Sequence, residues 1–148
     1  MPAIPEPIQS AASLDDALAQ TLKHFAADSG TIHLLEADGV LHLKAASAGI
    51  PEFVLQTVRL VPVGKGMAGL AVERALPVTA CNIQTDTSGD VRAGAKLTGL
   101  EGAIVVPMMR AGRPEGALGI ANRAERTFSD EEQKLLLAIG EHLAAKHG

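Results

Sequence analysis

The sequence predicts an α+β domain built on a central antiparallel sheet of about five to six strands, with a helix at each end of the chain. Three observations carry this. Leu14, Leu18, Leu22 and Phe25 recur at helical spacing near the start. Two hairpin signatures, at Asp38-Gly39 and at Gly112 with Pro114, bracket a mixed middle. A capped helix opens at Ser129 and runs toward the end. Helices layered on an antiparallel sheet are the stable packing for that order.

The chain has 148 residues, the size of one domain. Pro2, Pro5 and Pro7 predict an extended arm over residues 1–9, leaving 10–148 as the single domain. The first helix starts at Ser13, a hydroxyl cap with Asp16 three residues on, and ends at Asp28-Ser29-Gly30. Thr31 to Ala37 and Val40 to Ala46 follow as strands joined by a two-residue Asp38-Gly39 turn. That turn sets Glu36 against Leu41 and Leu34 against Leu43. Ile32, Leu34, Leu41 and Leu43 then share one face, and His33, Leu35, His42 and Lys44 the other.

Pro51 to Gln56 predicts a helical turn, Val58 to Val63 a strand, Gly66 to Arg74 a short helix and Pro77 to Thr79 a short strand. Residues 82–101 are polar and read as a long loop, a length that is usually functional, disordered or hides a short helix. Gly102 to Arg110 is nearly all apolar, the pattern of a strand buried on both faces, and Pro107 implies a bulge or an edge position. Gly116 to Asn122 returns as its partner strand. Ser129-Asp130-Glu131-Glu132 is a capping box, and Leu136, Ile139 and Leu143 form the stripe of a helix ending near His147.

Composition excludes several classes of function. The formal net charge of −4 argues against non-specific nucleic-acid binding, which needs a basic face. One cysteine, Cys81, permits neither an intrachain disulfide nor a Cys-rich metal site. Three phenylalanines are the only aromatics, which leaves little to stack a planar ligand. The start has no basic stretch leading into an apolar run, and no segment is apolar enough to span a bilayer. A soluble, cytoplasmic protein is expected.

Five pieces occur in a fixed order: Val63-Gly64-Lys65-Gly66-Met67-Ala68-Gly69, Leu76-Pro77-Val78, Val105-Val106-Pro107-Met108, Gly116-Ala117-Leu118-Gly119-Ile120-Ala121-Asn122, and Phe128-Ser129-Asp130-Glu131. With their spacing, they make the chain resemble the GAF domain family over roughly residues 13–146. The resemblance implies terminal helices on one face of the sheet, with a ligand pocket, short helices and a lid loop on the other. It also implies a sensor of small molecules that often dimerises through its terminal helices.

Several motifs invite chemistry. Gly64, Gly66 and Gly69 match a dinucleotide fingerprint, but the helix after them is too short and an antiparallel hairpin precedes them. The glycines read instead as a tight turn and a close helix–sheet contact, where the helix start and Lys65 can hold a small anion. His33 and His42, placed on one predicted face, lack a third metal ligand. Cys81 has no activating base beside it in sequence and reads as an inert, partly buried thiol. Bilin-carrying relatives resemble one another in a Cys-His pair, whereas Asn82 follows Cys81 here. The methionine-sulfoxide-reducing branch has a cysteine where this chain has Ala68, and one thiol cannot close the disulfide such a cycle uses. Asn122-Arg123, Phe128 and Asp130-Glu131 are similar to a cyclic-nucleotide signature, with Arg in place of its Lys.

The expected function is a non-catalytic sensory module that binds a small organic molecule or anion. In the resembling fold, residues 82–101 lie over the pocket and close on it, shifting the packing of the terminal helices. Residues 90–126 hold six bases against four acids, so Arg92 or Lys96 can hold a small anion, the alternative being a solvated loop with scattered charges. The candidate ligand-binding residues are Met67, Asp86, Asp90, Arg92, Lys96, Thr98 and Val105. Expected partners are an unidentified small molecule, a second copy of the chain through the terminal helices, and a separate signalling protein; no metal, cofactor, nucleic acid or membrane is expected. The alternative is a ligand-free dimerisation module, in which Leu14, Leu18, Leu22, Leu136, Ile139 and Leu143 form a bundle between copies. Cyclic-nucleotide binding is a third reading.

Overall fold

The computed structural model describes residues 2–91 and 98–148. Six strands form one antiparallel sheet in the order β3-β2-β1-β6-β5-β4. They are β1 (Ser29–Leu35), β2 (Val40–Ala46), β3 (Leu60–Pro62), β4 (Val78–Ala80), β5 (Gly102–Arg110) and β6 (Arg113–Asn122). The described helices are α1 (Glu6–Gln9), α2 (Leu14–Phe25), α3 (Glu52–Val58), α4 (Gly66–Arg74) and α5 (Asp130–His147).

Alternation along the central strands makes the two faces unlike. Ile32, Ile104, Val106, Met108, Leu118 and Ile120 pack beneath α2 and α5. There they meet Leu18, Phe25, Leu136, Ile139 and Leu143 in the main core. Leu18 is 1% exposed, and Leu136, Ile139 and Leu143 are fully buried. Leu18 and the α5 stripe are therefore spent on this chain's own sheet, while Leu14 and Leu22 pack only partly against it. The opposite face of the sheet carries α3 and α4 over smaller clusters.

The first hairpin departs from the expected register. The Glu36 amide bonds the Val40 carbonyl, and the Gly39 amide bonds the Glu36 carbonyl. Ala37, Asp38 and Gly39 thus make a three-residue loop, with Gly39 at φ 77°. Leu35 pairs with Leu41, Leu34 with His42 and His33 with Leu43. A slip of one residue sends a strand's side chains to the other face. Leu41 and Leu43 accordingly join His33 and Leu35 on the α3–α4 side, while His42 lies across the sheet from His33. The expected histidine pair is not formed. A bulge between Ile32 and His33 resets the register toward the far end of the hairpin.

The expected extended arm also differs. Pro5 precedes one helical turn, Glu6–Gln9, which buries Ile8 in the main core. Lys146 on α5 holds this turn, its Nζ donating to the carbonyls of Gln9 and Ala11 at 2.8 Å each. Pro107 lies beyond the reach of β4, which begins opposite Val105, and a bulge follows between Pro107 and Met109.

Arg126 ties both terminal helices to the sheet. Its Nη1 donates to the Phe25 carbonyl (2.7 Å) and to Asn122 Oδ1 (2.9 Å), and its Nη2 to Glu132 Oε2 (2.6 Å). The guanidinium carbon lies 4.5 Å from the Phe128 ring centre. Glu132 completes the capping box by accepting from the Ser129 amide at 3.0 Å, while its own amide bonds Ser129 Oγ at 3.1 Å. Replacing Arg126 with Met is expected to destabilise the fold by about 2–3 kcal/mol, read from a chemical denaturation midpoint.

The Ser129 amide, and then Arg126, hold the Glu132 carboxyl below its ordinary pKa of 4.5. A depressed carboxylate pKa gives stability that is complete above the unfolded value and lost as pH falls through the folded one. Denaturation midpoints below pH 4.5 should therefore fall less steeply in a Glu132→Gln variant than in the parent.

The β5–β6 hairpin closes with Ala111 and Gly112 at φ 51° and 78° between the paired Arg110 and Arg113, the two-residue turn with two left-handed positions. Alanine is strained there, so Ala111→Gly should raise stability by about 1 kcal/mol in the same measurement.

Candidate functional site

A cavity of about 250 Å³ lies on the α3–α4 face of the sheet. Its floor comes from strand positions that face away from α2 and α5. Thr31, Gly119 and Val105 stand in register across β1, β6 and β5, and Ser29, Ala121 and Ala103 form the next row. The β6 and β5 members of these rows are small or only branched. The helix above therefore cannot settle onto side chains that are not there, and space remains.

One wall is the start of α4. Gly64 turns the chain at φ 90°, and the Gly64 amide bonds the Gly69 carbonyl. A side chain at Gly69 would collide with the Pro62 carbonyl, so glycine lets α4 lie against the end of β3. The glycine pattern is spent on this contact. Lys65 is the N-cap residue and offers no side-chain cap. The first-turn residues Gly66, Met67 and Ala68 line the cavity, so the positive end of the helix dipole borders it.

Part of the roof is α3 with the loop before it. Ala48, Gly49, Ile50, Pro51, Val54 and Val58 all line the cavity. The expected roof was residues 82–101; of these, Thr98 and Leu100 are the described members of the wall. Residues 92–97 of that loop lie outside the described residues, and its first residues, 82–84, are pinned beside the end of β4 and the start of β5. Asn82 is buried, its Nδ2 donating to Glu125 Oε1 at 2.7 Å and to Glu101 Oε1 at 3.3 Å. Gln84 Nε2 donates to the Leu100 carbonyl at 2.8 Å.

The cavity thus brings together Met67, Thr98 and Val105 of the expected ligand residues. Asp86 and Asp90 lie outside the described wall. Asp86 accepts from Ser88 Oγ at 2.6 Å, and Asp90 holds Arg74 through two bonds of 3.0 and 3.2 Å. Arg92 and Lys96 fall outside the described residues. Sequence reasoning missed His33 and Arg123 as wall residues, while Lys65, read there as able to hold an anion, does line the cavity. Lys65 was visible as the cation at the glycine turn, whereas His33 was hidden by the one-residue register slip.

The charged members of the wall are Asp28, Lys65 and Arg123. Asp28 Oδ2 already accepts from the Arg123 backbone amide at 2.7 Å. The remaining wall is largely apolar, with Val54, Val61, Met67 and Val105 prominent. Cys81 is exposed and not partly buried as expected, and it is not among the described wall residues. Among the described residues, no three His, Cys, Asp or Glu side chains converge on a metal position, and no helix is long and apolar enough to cross a membrane. Of the residues that resemble a cyclic-nucleotide signature, Asn122 Nδ2 donates to the Ala26 carbonyl at 2.8 Å, Phe128 is buried, and Arg123 lines the cavity.

The same architecture occurs in solved structures. The GAF domain of a phosphoenolpyruvate-protein phosphotransferase from Coxiella burnetii is 22% identical, with a TM-score of 0.74 over 93% of this chain and 84% of that one. The type II free methionine-R-sulfoxide reductase of Thermoplasma acidophilum is 20% identical, with a TM-score of 0.75 over 93% of each chain. The free methionine-R-sulfoxide reductase of Neisseria meningitidis, solved in complex with its substrate, is 19% identical, with a TM-score of 0.73 over 90% of this chain and 74% of that one. At these identities the likeness shows the fold. No curated protein sequence matches the chain significantly. The GAF domain family model matches residues 9–145, and the chain belongs to the GAF domain family, a sensory and regulatory fold.

Proposed function

We propose that this chain is a non-catalytic sensory module that binds a small organic acid in the cavity between the sheet and α3–α4. The cavity carries the reading. An apolar void of about 150 Å³ holds benzene, so one of about 250 Å³ takes roughly ten non-hydrogen atoms. The apolar walls suit a hydrocarbon body. Lys65, Arg123 and the uncapped start of α4 favour a carboxylate at one end. The Neisseria relative offers a parallel, since it was solved with a small substrate bound.

Cys81 and Ala68 support the non-catalytic reading against one reaction, the disulfide-forming reductase cycle. Cys81 is the only cysteine, and Ala68 stands in the cavity wall. A lone thiol cannot form an internal disulfide, so a reductase cycle of that type has no route here.

Signalling would pass through one layer of backbone. Val105 and Gly119 face the cavity, while Ile104, Val106 and Leu118 lie beneath α5 and α2. A ligand that fits one arrangement of these strands better than another shifts the packing of the terminal helices. A second copy or a separate signalling protein would respond at that outer helical surface. A homodimer there would use outward-facing residues, because Leu18 and the α5 stripe are already covered.

Native mass spectrometry of gently purified protein tests the reading. The expected result is a discrete added mass of a small acid, lost in an Ala121→Leu variant whose side chain enters the cavity. Saturating ligand, at a hundred times its Kd, should stabilise the protein by about 2.7 kcal/mol and raise Tm by roughly 5–10 °C. A bare protein mass, with no melting shift across a panel of short-chain carboxylates, would overturn it.

A further inference from the structure

The cavity wall carries its uncommitted polar groups in two places. Lys65 and Arg123 line the cavity but are exposed, so they stand at its mouth. Among the described residues neither side chain forms an ion pair or a hydrogen bond. Thr31 is half-buried in the floor. Opposite it stand Gly119 on β6 and Ala46 on β2, neither with a hydrogen-bonding side chain. A Cβ placed on Gly119 would lie 3.7 Å from Thr31 Oγ1 and 3.1 Å from Val105 Cγ2. The hydroxyl therefore borders the space that glycine leaves empty, with an apolar branch across from it.

The fold does not use that hydroxyl. Other hydroxyls of the wall are engaged: Ser29 Oγ lies 3.2 Å from Ser47 Oγ, Thr57 Oγ1 donates to the Phe53 carbonyl at 2.9 Å, and Thr98 Oγ1 accepts from the Leu100 amide at 3.1 Å. Thr31 Oγ1 has no such partner among the described residues. Nor is it sealed, since the buried side-chain polar atoms without a partner among those residues are His33 Nδ1 and His147 Nε2. An accessible hydroxyl, able both to donate and to accept, is thus left on the floor.

The two places are well separated. Gly119, Ala121 and Arg123 alternate onto the cavity face, and at the rise of a strand Arg123 starts roughly 13 Å along from the Thr31–Gly119 row. Ala121, Ala103 and Met67 make the stretch between them apolar. A carboxylate that meets Arg123 therefore places over Gly119 an atom several bonds away, not the carbon next to the acid.

We infer that Thr31 Oγ1 reads the far end of the ligand: the acid held at the mouth ends in a neutral hydrogen-bonding group that meets this hydroxyl. The ligand class is then an ω-hydroxy, ω-oxo or ω-amide carboxylic acid of roughly ten non-hydrogen atoms or fewer. Gly119, Val105 and Ala46 offer no counter-charge, and an unpaired buried charge is costly, so the tail is neutral. This rests on the cavity's being the acid site, as proposed above.

Titration calorimetry with the straight-chain acids from butanoate to heptanoate, each beside its 2-hydroxy and ω-hydroxy derivatives, tests it on the parent, Thr31→Val and Thr31→Ser. At least one ω-hydroxy acid should bind the parent about five- to tenfold more tightly than its unsubstituted acid, the worth of one net hydrogen bond. Its 2-hydroxy isomer should gain nothing. Thr31→Val keeps the shape without the hydroxyl and should erase the preference while holding the unsubstituted acid as before; Thr31→Ser should retain it. In the parent, a nuclear Overhauser contact between the ω protons of the preferred acid and the Thr31 methyl reads the same placement without any variant. No ω-hydroxy preference, an equal gain from the 2-hydroxy isomer, a preference that survives in Thr31→Val, or no contact with the Thr31 methyl overturns the inference and leaves the acid-binding reading standing. Failure of every acid to bind the parent overturns both.

Discussion

Everything here depends on the side-chain alternation of β6. Leu118 and Ile120 point to one face, and Ala117, Gly119 and Ala121 to the other. The large residues draw α2 and α5 down, each full burial of such a side chain contributing about 1.5–3 kcal/mol. The small residues draw nothing down. On their side α4 lies over β5 and β6, with Ala68 and Val72 packed by Ala117 and Met67 near Ala103 and Ala121, and the space between it and α3 stays open. One strand thus decides both where the core is dense and where a molecule can enter.

Much of this was legible in the sequence, and the failures have physical reasons. The β5–β6 hairpin, the capping box at Ser129 and the limits of α4 follow from local rules, since each is written within a few neighbouring residues. The β1–β2 register was misplaced because Asp-Gly serves both two-residue and three-residue turns, and the choice between them is made by packing across the sheet. Leu41 finds Val61 and Val72 on the α4 side, and that contact selects the longer turn. The same slip concealed His33. Ile8 was lost in a proline-rich arm because its burial depends on Lys146, more than a hundred residues away.

The candidate site divides in the same way. Met67 and Val105 belong to elements whose faces could be read from pattern, and both stand in the cavity wall. Asp86 and Asp90 were chosen by placing a polar loop over the pocket, but their carboxylates are used in local bonds to Ser88 and Arg74. Part of the roof is α3, whose sequence from Pro51 to Val58 holds no chemical motif. A roof is defined by its position over a floor, and position is a tertiary property.

The cavity wall and the main core draw on largely separate residues. Val105, Gly119 and Ala121 line the void, whereas the helices are held by Ile104, Leu118 and Ile120 at the intervening positions. Inheritance can therefore alter one set while sparing the other. A lineage that exchanges floor residues for other small or polar ones explores new ligands with little risk to folding, and drift on the opposite face is restrained by packing. Architectures organised in this way keep their shape while their chemistry diversifies, as the fold shared at about 20% identity with a phosphotransferase domain and two reductases illustrates.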